Sequence, residues 1–237
     1  MAGMRDGGDL LAGWQPAALP GRAALEGRHV RLERLEAAAH AEGLHRAFAG
    51  HDRLWDFMPY GPFATAANYG DWVTKVAAGQ DPAFWAIRDL VTAEPAGVAS
   101  WLRITPDHGT IEVGHICLSP ALQKGRAATE AMVLMMGWAF DAGYRRYEWK
   151  CDARNLPSRR AAQRLGFSFE GIFRQHMVIK GRNRDTAWFA ITDADWPALR
   201  AAFAEWLDPA NFDAAGRQRR RLSDLTAPVR VASDPGL

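Results

Sequence analysis

The segment "EVGHICLSPALQKGRAATEAM", residues 112–132, decides how the chain is interpreted. A strand-like end runs into Pro120, and a short polar turn then leads directly into an apolar helix. The first N–H groups of a helix have no intrahelical partner, and the helix dipole adds positive potential there. Small residues let a ligand approach that backbone. The turn therefore predicts an anion site, in particular for a phosphate, at Gln123, Lys124, Gly125, Arg126, Ala127 and Ala128.

Composition limits the class of protein. The 237 residues are 48% hydrophobic and 24% charged, which suits one substantial core. The formal net charge of +2 gives no argument for a nucleic-acid partner. Cys117 and Cys151 are the two cysteines, too few for a disulfide scaffold and consistent with a reducing compartment. Without a signal-like apolar segment or a membrane-length apolar run, we expect a cytoplasmic protein with no membrane partner.

Hydrophobic periodicity divides the chain into alternating elements. The predicted helices cover residues 36–48, 65–79, 123–142, 155–166 and 193–207. Strands are predicted at 29–35 and 145–151, as an antiparallel meander at 83–90, 96–104 and 109–119, and as a hairpin at 171–191 with its turn near Gly181, Arg182 and Asn183. The order strand–helix–strand around residues 123–142 favours a right-handed crossover and a parallel pair. The sequence therefore predicts an α/β (α+β) fold with a mixed sheet and a ligand crevice beside that pair.

The ends of the chain differ from its centre. Residues 1–24 are rich in Gly, Ala and Pro and are expected to form a loosely ordered arm. Residues 25–207 are expected to form the domain. Residues 208–237, with the basic run Arg217–Arg221, are expected to form a solvated or flexible C-terminal tail.

A second segment, "YEWKCDARNLPSRRAAQRLGFSFEGIFRQH", residues 147–176, gives the pattern a family resemblance. Asn155 opens a helix, Ser158 follows three residues on, and Gly166-Phe167 and then Glu170-Gly171 close the unit. With residues 112–132 it resembles the GCN5-related N-acetyltransferases (GNAT), specifically their RimJ/RimL-type branch, over roughly residues 25–207. The resemblance implies the GNAT fold: a central mixed, mostly antiparallel sheet with a splayed parallel pair, flanked by helices. It also implies acetyl-CoA as co-substrate.

One departure concerns the phosphate loop. The family's usual loop is Gln/Arg-x-x-Gly-x-Gly/Ala, whose ends Gln123 and Ala128 match. Arg126 stands where the central Gly is expected, and Gly125 comes one place early. Because Arg126 carries a Cβ, its backbone is expected to keep a negative φ. Its guanidinium also suits a coenzyme phosphate.

The resemblance assigns roles to individual residues. The backbone N–H groups of the strand Ile116, Cys117 and Leu118 are expected to polarise the thioester carbonyl. Glu112 is the expected base, acting through water, and Ser158 is expected near the sulfur. Asn155 is expected to contact the pantetheine arm as well as cap its helix. The tyrosine acid of many relatives is absent, because Ala162 occupies its position.

An acceptor pocket is expected from the irregular aromatic segment 54–63 and the 171–191 hairpin. Its candidate residues are Trp55, Phe57, Tyr60, His115 and His176. For the aromatics, an ordinary satellite core under a loop is an equal alternative. His115 lies three residues after Glu112, which gives opposite side-chain parity on a strand unless a bulge intervenes.

The sequence therefore predicts an N-acetyltransferase that moves acetyl from acetyl-CoA to a primary amine by direct attack in a ternary complex. The acceptor is a protein N-terminus or a small molecule. The alternatives are a non-catalytic coenzyme A-binding module and a transferase for a longer acyl group. No metal is expected, because the seven His and two Cys show no ligand spacing. The family resemblance also leaves a homodimer open.

Overall fold

The computed structural model describes residues 11–237, and these form an eight-stranded sheet in the order β1-β2-β3-β4-β5-β6-β8-β7. The strands are β1 Leu25–Glu26, β2 Val30–Arg34, β3 Ala83–Asp89, β4 Pro95–Thr105, β5 Thr110–Leu118, β6 Arg146–Asp152, β7 Ser168–Ile179 and β8 Arg182–Thr192. Within this range β5 and β6 are parallel and every other neighbouring pair is antiparallel. The predicted mixed, mostly antiparallel sheet is confirmed.

Helices cover both faces of this sheet. They are α1 Ala37–Phe48, α2 Ala66–Ala77, α3 Arg126–Asp141, α4 Leu156–Arg164, α5 Trp196–Leu207 and the short α6 Leu222–Thr226. The helices α1 and α2 enclose one apolar cluster with the sheet, and α3, α4 and α5 enclose a larger one on the opposite face. Among the described residues no helix is both long and apolar enough to cross a bilayer.

Local signals account for several boundaries. Thr65 Oγ1 accepts the N–H of Asn68 and caps α2. Gly143 follows α3 with φ +96°, the conformation that a Cβ disfavours. The β7–β8 turn is Lys180-Gly181, both with positive φ as in a type I′ turn, rather than the predicted position one residue further on.

The pairing between β5 and β6 is short. It runs from Thr110 to Val113 on β5, opposite Arg146 to Trp149 on β6. Beyond Val113, β5 continues to Leu118 paired with β4 alone. The predicted splay of the parallel pair therefore begins after Val113, and α3 starts just beyond the end of β5.

A β-bulge lies in the unpaired half of β5. Ser100 pairs with Gly114 and Val98 with Cys117, so three steps on β5 oppose two on β4. His115 takes up the extra residue with φ +52°. The bulge brings His115 to the face of the sheet that carries α1 and α2, where its ring lies 5.0 Å from that of Phe84. His115 therefore shares a face with Glu112. A regular strand would have placed the two side chains on opposite faces, and the bulge reverses that parity.

The C-terminal segment 208–237 differs from the solvated tail expected from the sequence. Leu222 is fully buried, and Thr226 Oγ1 donates to the carbonyl of Arg164 at 3.0 Å. Arg159 of α4 donates two hydrogen bonds to the buried carboxylate of Asp234, at 2.7 and 2.5 Å. The sequence missed this packing because Arg159 and Asp234 lie 75 residues apart.

The N-terminal arm is partly described. Residues 1–10 lie outside the described residues. Trp14 Nε1 donates to the carbonyl of Asp107 at 3.2 Å, and Ala17 and Ala18 donate their N–H groups to Pro106 and Ala142. Residues 14–18 are therefore tied to the loops before β5 and after α3.

We predict that Asp234→Asn lowers the free energy of unfolding by about 3–5 kcal/mol, because it leaves the buried Arg159 guanidinium without its counter-charge. Asp141→Asn is the matched control. Its partner Arg200 and Asp141 itself are both exposed, so the loss should stay below about 1 kcal/mol. Urea unfolding of both variants measures the difference, and equal losses would contradict the structural role of the Arg159–Asp234 pair.

Candidate active site

A cavity of about 1940 Å³ opens where β5 and β6 separate. Pockets for drug-sized ligands hold about 300–1,000 Å³, so this one has room for a longer ligand. The lining comes from the end of β5, the first turns of α3 and α4, the segment 50–58 and the C-terminal loop. Residues of both sheet faces take part, such as Met132 from one apolar cluster and Cys117 from the other. The cavity therefore passes through the gap between the two strands.

The N-terminus of α3 forms one wall. Gly125 is its N-cap, no side chain caps it, and its first turn holds no acidic residue. The N–H of Thr129 donates to the carbonyl of Gly125 at 3.4 Å. The N–H groups of Arg126, Ala127 and Ala128 have no earlier helical carbonyl to bond. These donors and the helix dipole favour an anion at this end of the cavity.

The conformation of the turn before α3 explains how Arg126 can replace the glycine expected in the phosphate loop. Lys124 carries the left-handed conformation, with φ +61°, and Gly125 has φ −86°. Arg126 is the first helical residue, so its Cβ causes no conflict. A Cβ on Gly125 would lie 3.4 Å from the carbonyl of Leu122 and 3.9 Å from the N–H nitrogen of Ala127. Gly125 thus keeps space open above the free amides.

The N–H and the carbonyl of Leu118, at the end of β5, point into the gap. Ser119 donates its N–H to Ala96 beside β4, at 2.9 Å. Because successive peptide groups along a strand point to opposite sides, the N–H of Leu118 points away from β4 and that of Cys117 points towards it. Gln123 Nε2 donates to the carbonyl of Leu118 at 2.9 Å. Among the predicted carbonyl-binding donors, Leu118 is therefore directed to the cavity and Cys117 is not, while Ile116 lies beside the bulge.

The start of α4 forms the facing wall. Asn155 Oδ1 accepts the N–H of Ser158 at 3.2 Å, which confirms the predicted cap. Ser158 Oγ accepts the indole N–H of Trp149 at 3.0 Å, so its own proton is free for another acceptor. Burial raises the pKa of the neighbouring Cys151 thiol to about 11. Asn155, Ser158 and Trp149 all line the cavity.

Glu112 lies buried on the face of α1 and α2. Arg103 Nη1 donates to its Oε2 at 2.6 Å, and Lys150 Nζ lies 3.0 Å from the same oxygen. Burial raises the pKa of Glu112, and the two cations oppose that shift. Lys150 Nζ also contacts Glu148 at 2.6 Å and lies 3.8 Å from the ring centre of Trp188. Glu112 itself does not border the large cavity.

His115 and Tyr60 form a pair near Glu112. The hydroxyl of Tyr60 lies 3.0 Å from His115 Nδ1, and their rings stack at 5.6 Å. Burial lowers the pKa of His115 to about 4, aided by the positive charges of Arg103 and Arg184. His115 is therefore a neutral imidazole at neutral pH.

The other predicted pocket residues are spread over three places. Phe57 lines the cavity. Trp55 is 4% exposed and packs against Phe48 and other rings in the apolar cluster of α1 and α2, which matches the satellite-core alternative. His176 Nδ1 lies 2.9 Å from Thr186 Oγ1, in the β7–β8 hairpin.

The C-terminal loop 212–221 is a cavity wall that the sequence interpretation missed. Arg217, Arg219 and Arg221 line the cavity. Gln218 also lines the cavity and accepts the indole N–H of Trp206, whereas Arg220 does not line it and pairs with Glu205. The positive charge of the run R-Q-R-R-R is the signal that could have pointed to an anionic ligand.

The loop is fixed from its base. Asn211 Nδ2 donates to the carbonyl of Trp206 at 3.1 Å, and Asn211 Oδ1 accepts the N–H of Arg220 at 2.8 Å. The guanidinium of Arg126 stacks on Phe212 of the loop at 4.6 Å. These contacts join the loop to the N-terminus of α3 across the cavity.

The cavity wall carries a strong positive charge. Eight of its residues are Lys or Arg and one, Asp52, is acidic. The basic residues are Arg53, Lys124, Arg126, Arg160, Arg164, Arg217, Arg219 and Arg221. Such a wall attracts a polyanion. Within residues 11–237 no three His, Cys, Asp or Glu side chains come together as a metal site.

A sequence model of the acetyltransferase (GNAT) domain matches residues 29–168. The chain belongs to the GNAT acetyltransferase family. A GCN5-related N-acetyltransferase from Brucella melitensis is 46% identical, with a TM-score of 0.90 over 92% of this chain and 100% of that one. A probable GNAT acetyltransferase from Chromobacterium violaceum is 42% identical, with a TM-score of 0.77 over 82% of this chain and 98% of that one. Among curated proteins, none matches the chain.

More distant GNAT structures share the fold alone. They include the microcin C7 self-immunity acetyltransferase, solved with acetyl-CoA and AMP, and the ribosomal L7/L12 N-acetyltransferase RimL, each 19% identical with a TM-score of 0.62. Because the GNAT family uses acetyl-CoA, the phosphate-bearing coenzyme is the polyanion that this cavity suits. The free α3 amides and the cationic wall fit it.

We predict that Gly125→Asp weakens acetyl-CoA binding about tenfold or more without weakening the fold. An aspartate at an N-cap accepts the free N–H groups of the first turn, so its carboxylate competes with a phosphate for them. The same cap should leave stability unchanged or raise it by about a few tenths of a kcal/mol. Calorimetric titration and thermal unfolding give the two readouts. Gly125→Ala is the uncharged control, and an unchanged Kd for Gly125→Asp would contradict the phosphate site.

Proposed function

We propose that the protein transfers the acetyl group of acetyl-CoA to a primary amine by direct attack within a ternary complex. The observation that carries this proposal is the gap after Val113. It joins the anion-binding end of α3 to the face of the sheet that carries α1 and α2, on which Glu112 lies. A coenzyme and an amine can therefore approach one point from opposite faces.

The chain offers a separate group for each part of the coenzyme. The amides of Arg126, Ala127 and Ala128 would hold the pyrophosphate. Asn155, whose Oδ1 is used by the helix cap, would offer its Nδ2 to the pantetheine arm. The arginines of the 212–221 loop would hold the phosphate of the nucleotide end. Acetyl-CoA supplies an activated thioester to this arrangement.

The residues at the gap have complementary tasks. The N–H of Leu118 donates to the thioester oxygen and stabilises the charge that develops there. As the N–C bond forms and the C–S bond breaks, Glu112 takes the proton of the amine through water. Ser158 can donate a hydrogen bond to the departing sulfur, which leaves as a thiolate because a thiol pKa near 8.5 makes it a tolerable leaving group. Arg103 and Lys150 orient the Glu112 carboxylate by binding its Oε2.

The family branch, the cellular location and the class of acceptor are inferred mainly from the sequence. The Asn155 and Ser158 pattern with Glu170-Gly171 supports the RimJ/RimL-type branch. Two free cysteines, both buried, support a cytoplasmic location. The acceptor is a protein N-terminus or a small-molecule amine.

We predict that Glu112→Gln lowers kcat about 100-fold or more while the Kd for acetyl-CoA stays unchanged, because the base is lost and the coenzyme site is not. The raised pKa of Glu112 places an acid limb in the kcat/KM profile, with activity falling as pH drops and the carboxylate is protonated. That limb should disappear in the variant. Thiol release against a panel of amines measures both effects.

Glu148→Gln is the control for this variant. It removes a carboxylate that contacts the same Lys150 Nζ on the neighbouring strand, but it leaves Glu112 in place. Its kcat should stay within about threefold of the wild-type value. Full activity of Glu112→Gln would remove Glu112 from the mechanism. Tight acetyl-CoA binding without amine-dependent release from any acceptor would favour a non-catalytic coenzyme-binding module.

We predict that Arg221→Gln weakens acetyl-CoA binding about three- to tenfold, because it removes one charge-assisted contact from the cavity wall. Arg220→Gln is its neighbour and control, since Arg220 pairs with Glu205 and does not line the cavity. Calorimetry measures the Kd of both variants for acetyl-CoA and for its 3′-dephospho form. Equal effects of both substitutions would show that the loop arginines do not contact the coenzyme.

A further inference from the structure

Arg184 is a guanidinium on the acceptor face that the transfer mechanism does not use. It is half-buried on β8, where it opposes Met177 of β7. Its Nε donates to Thr186 Oγ1 at 3.2 Å. Among residues 11–237, no carboxylate oxygen lies within 4.0 Å of it. Burial lowers the pKa of Arg184, as expected for a cation without a direct counter-charge.

Strand register places Arg184 on the same face as Glu112. Glu112 pairs with Glu148 across the β5–β6 pair. Lys150, two residues further along β6, pairs with Trp188 of β8, and alternation then puts Arg184 on that same side of the sheet. The charges of Arg103 and Arg184 both lower the pKa of His115, so Arg184 acts on the surroundings of the proposed base.

The other charges on this face are balanced. Glu112, Glu148 and Glu170 alternate in one network with three cations, Arg103, Lys150 and Arg146. Asp152 on the next position of β6 pairs with Arg154. Both histidines here have lowered pKa values, and His176 hydrogen-bonds Thr186. Among the charged side chains of β5, β6 and β8 that lie on this face in residues 11–237, Arg184 is therefore a half-buried cation without a direct carboxylate partner.

The β7–β8 hairpin also limits the approach to this face. Lys180 at its tip donates to the carbonyl of Trp55 at 2.9 Å and to that of Gly61 at 2.8 Å. The hairpin is thereby joined to the segment that carries Tyr60, the partner of His115. An acceptor beside Glu112 thus lies between this segment and the strand that bears Arg184.

We propose that the acceptor is a small amine that carries its own carboxylate, such as a free α-amino acid, and that Arg184 binds this carboxylate. The inference rests on the proposed acetyl transfer and narrows its acceptor. A guanidinium binds a carboxylate through two parallel N–H donors, which fixes the amine at a set distance from it. A simple polyamine brings only positive charge to the face that bears Arg184, and a peptide N-terminus lacks the α-carboxylate.

The test compares each of the twenty amino acids with its C-terminal amide as acceptor, by thiol release at saturating acetyl-CoA. For the amino acids that are turned over, kcat/KM of the free acid should exceed that of the amide at least tenfold. Arg184→Gln should reduce this ratio to within about threefold, mainly by raising KM for the acid. Arg182→Gln is the matched control, because Arg182 is exposed at the hairpin end of the same strand, and it should keep the wild-type ratio.

Equal turnover of acids and amides by the wild type, or an unchanged ratio in Arg184→Gln, would overturn the inference. A binding measurement tests carboxylate recognition by Arg184 independently of whether the protein transfers acetyl groups. N-acetyl amino acids and their amides are titrated into the coenzyme A complex by calorimetry. Tighter binding of the acids, lost in Arg184→Gln, supports carboxylate recognition even if no amine is acetylated. Equal binding of acids and amides counts against it.

Discussion

The short pairing between β5 and β6 is the constraint on which the rest of the site depends. Four residue pairs join the parallel strands, and the bulge at His115 then directs β5 along β4 alone. The gap frees the N–H of Leu118 and lets one cavity reach both apolar clusters. If the strands stayed paired to Leu118, their hydrogen bonds would occupy the same backbone donors that the coenzyme needs.

The two sides of this gap are supported by long-range contacts. On the coenzyme side, the buried Arg159–Asp234 pair holds the C-terminal segment against α4, and Asn211 fixes the loop that faces α3. On the acceptor side, Lys180 joins the β7–β8 hairpin to the segment before α2. The C-terminal loop and the β7–β8 hairpin thus form the two walls, although both are distant in sequence from β5. Both walls carry positive charge. In the proposed mechanism the coenzyme phosphates would balance the first charge, and the carboxylate of the proposed acceptor would balance the second.

Local signals in the sequence were enough for the mixed sheet with its parallel pair and for several helix ends. Gly143, Thr65 and Asn155 stop or cap helices by interactions within a few residues, so their patterns are readable without a structure. The C-terminal loop, the partners of Glu112 and the position of Arg184 were not readable. Each depends on residues brought together by the fold, and a bulge at a histidine has no local signature. The basic run 217–221 showed its charge but not its position on the cavity wall.

The most direct measurement is a crystal structure of the protein with coenzyme A. The account predicts that the pyrophosphate contacts the amides of Arg126–Ala128 and that the pantetheine arm passes through the gap beside β5. The N–H of Leu118 should then lie within hydrogen-bonding distance of the arm. A coenzyme bound elsewhere, with the gap after Val113 closed by paired strands, would contradict the central claim.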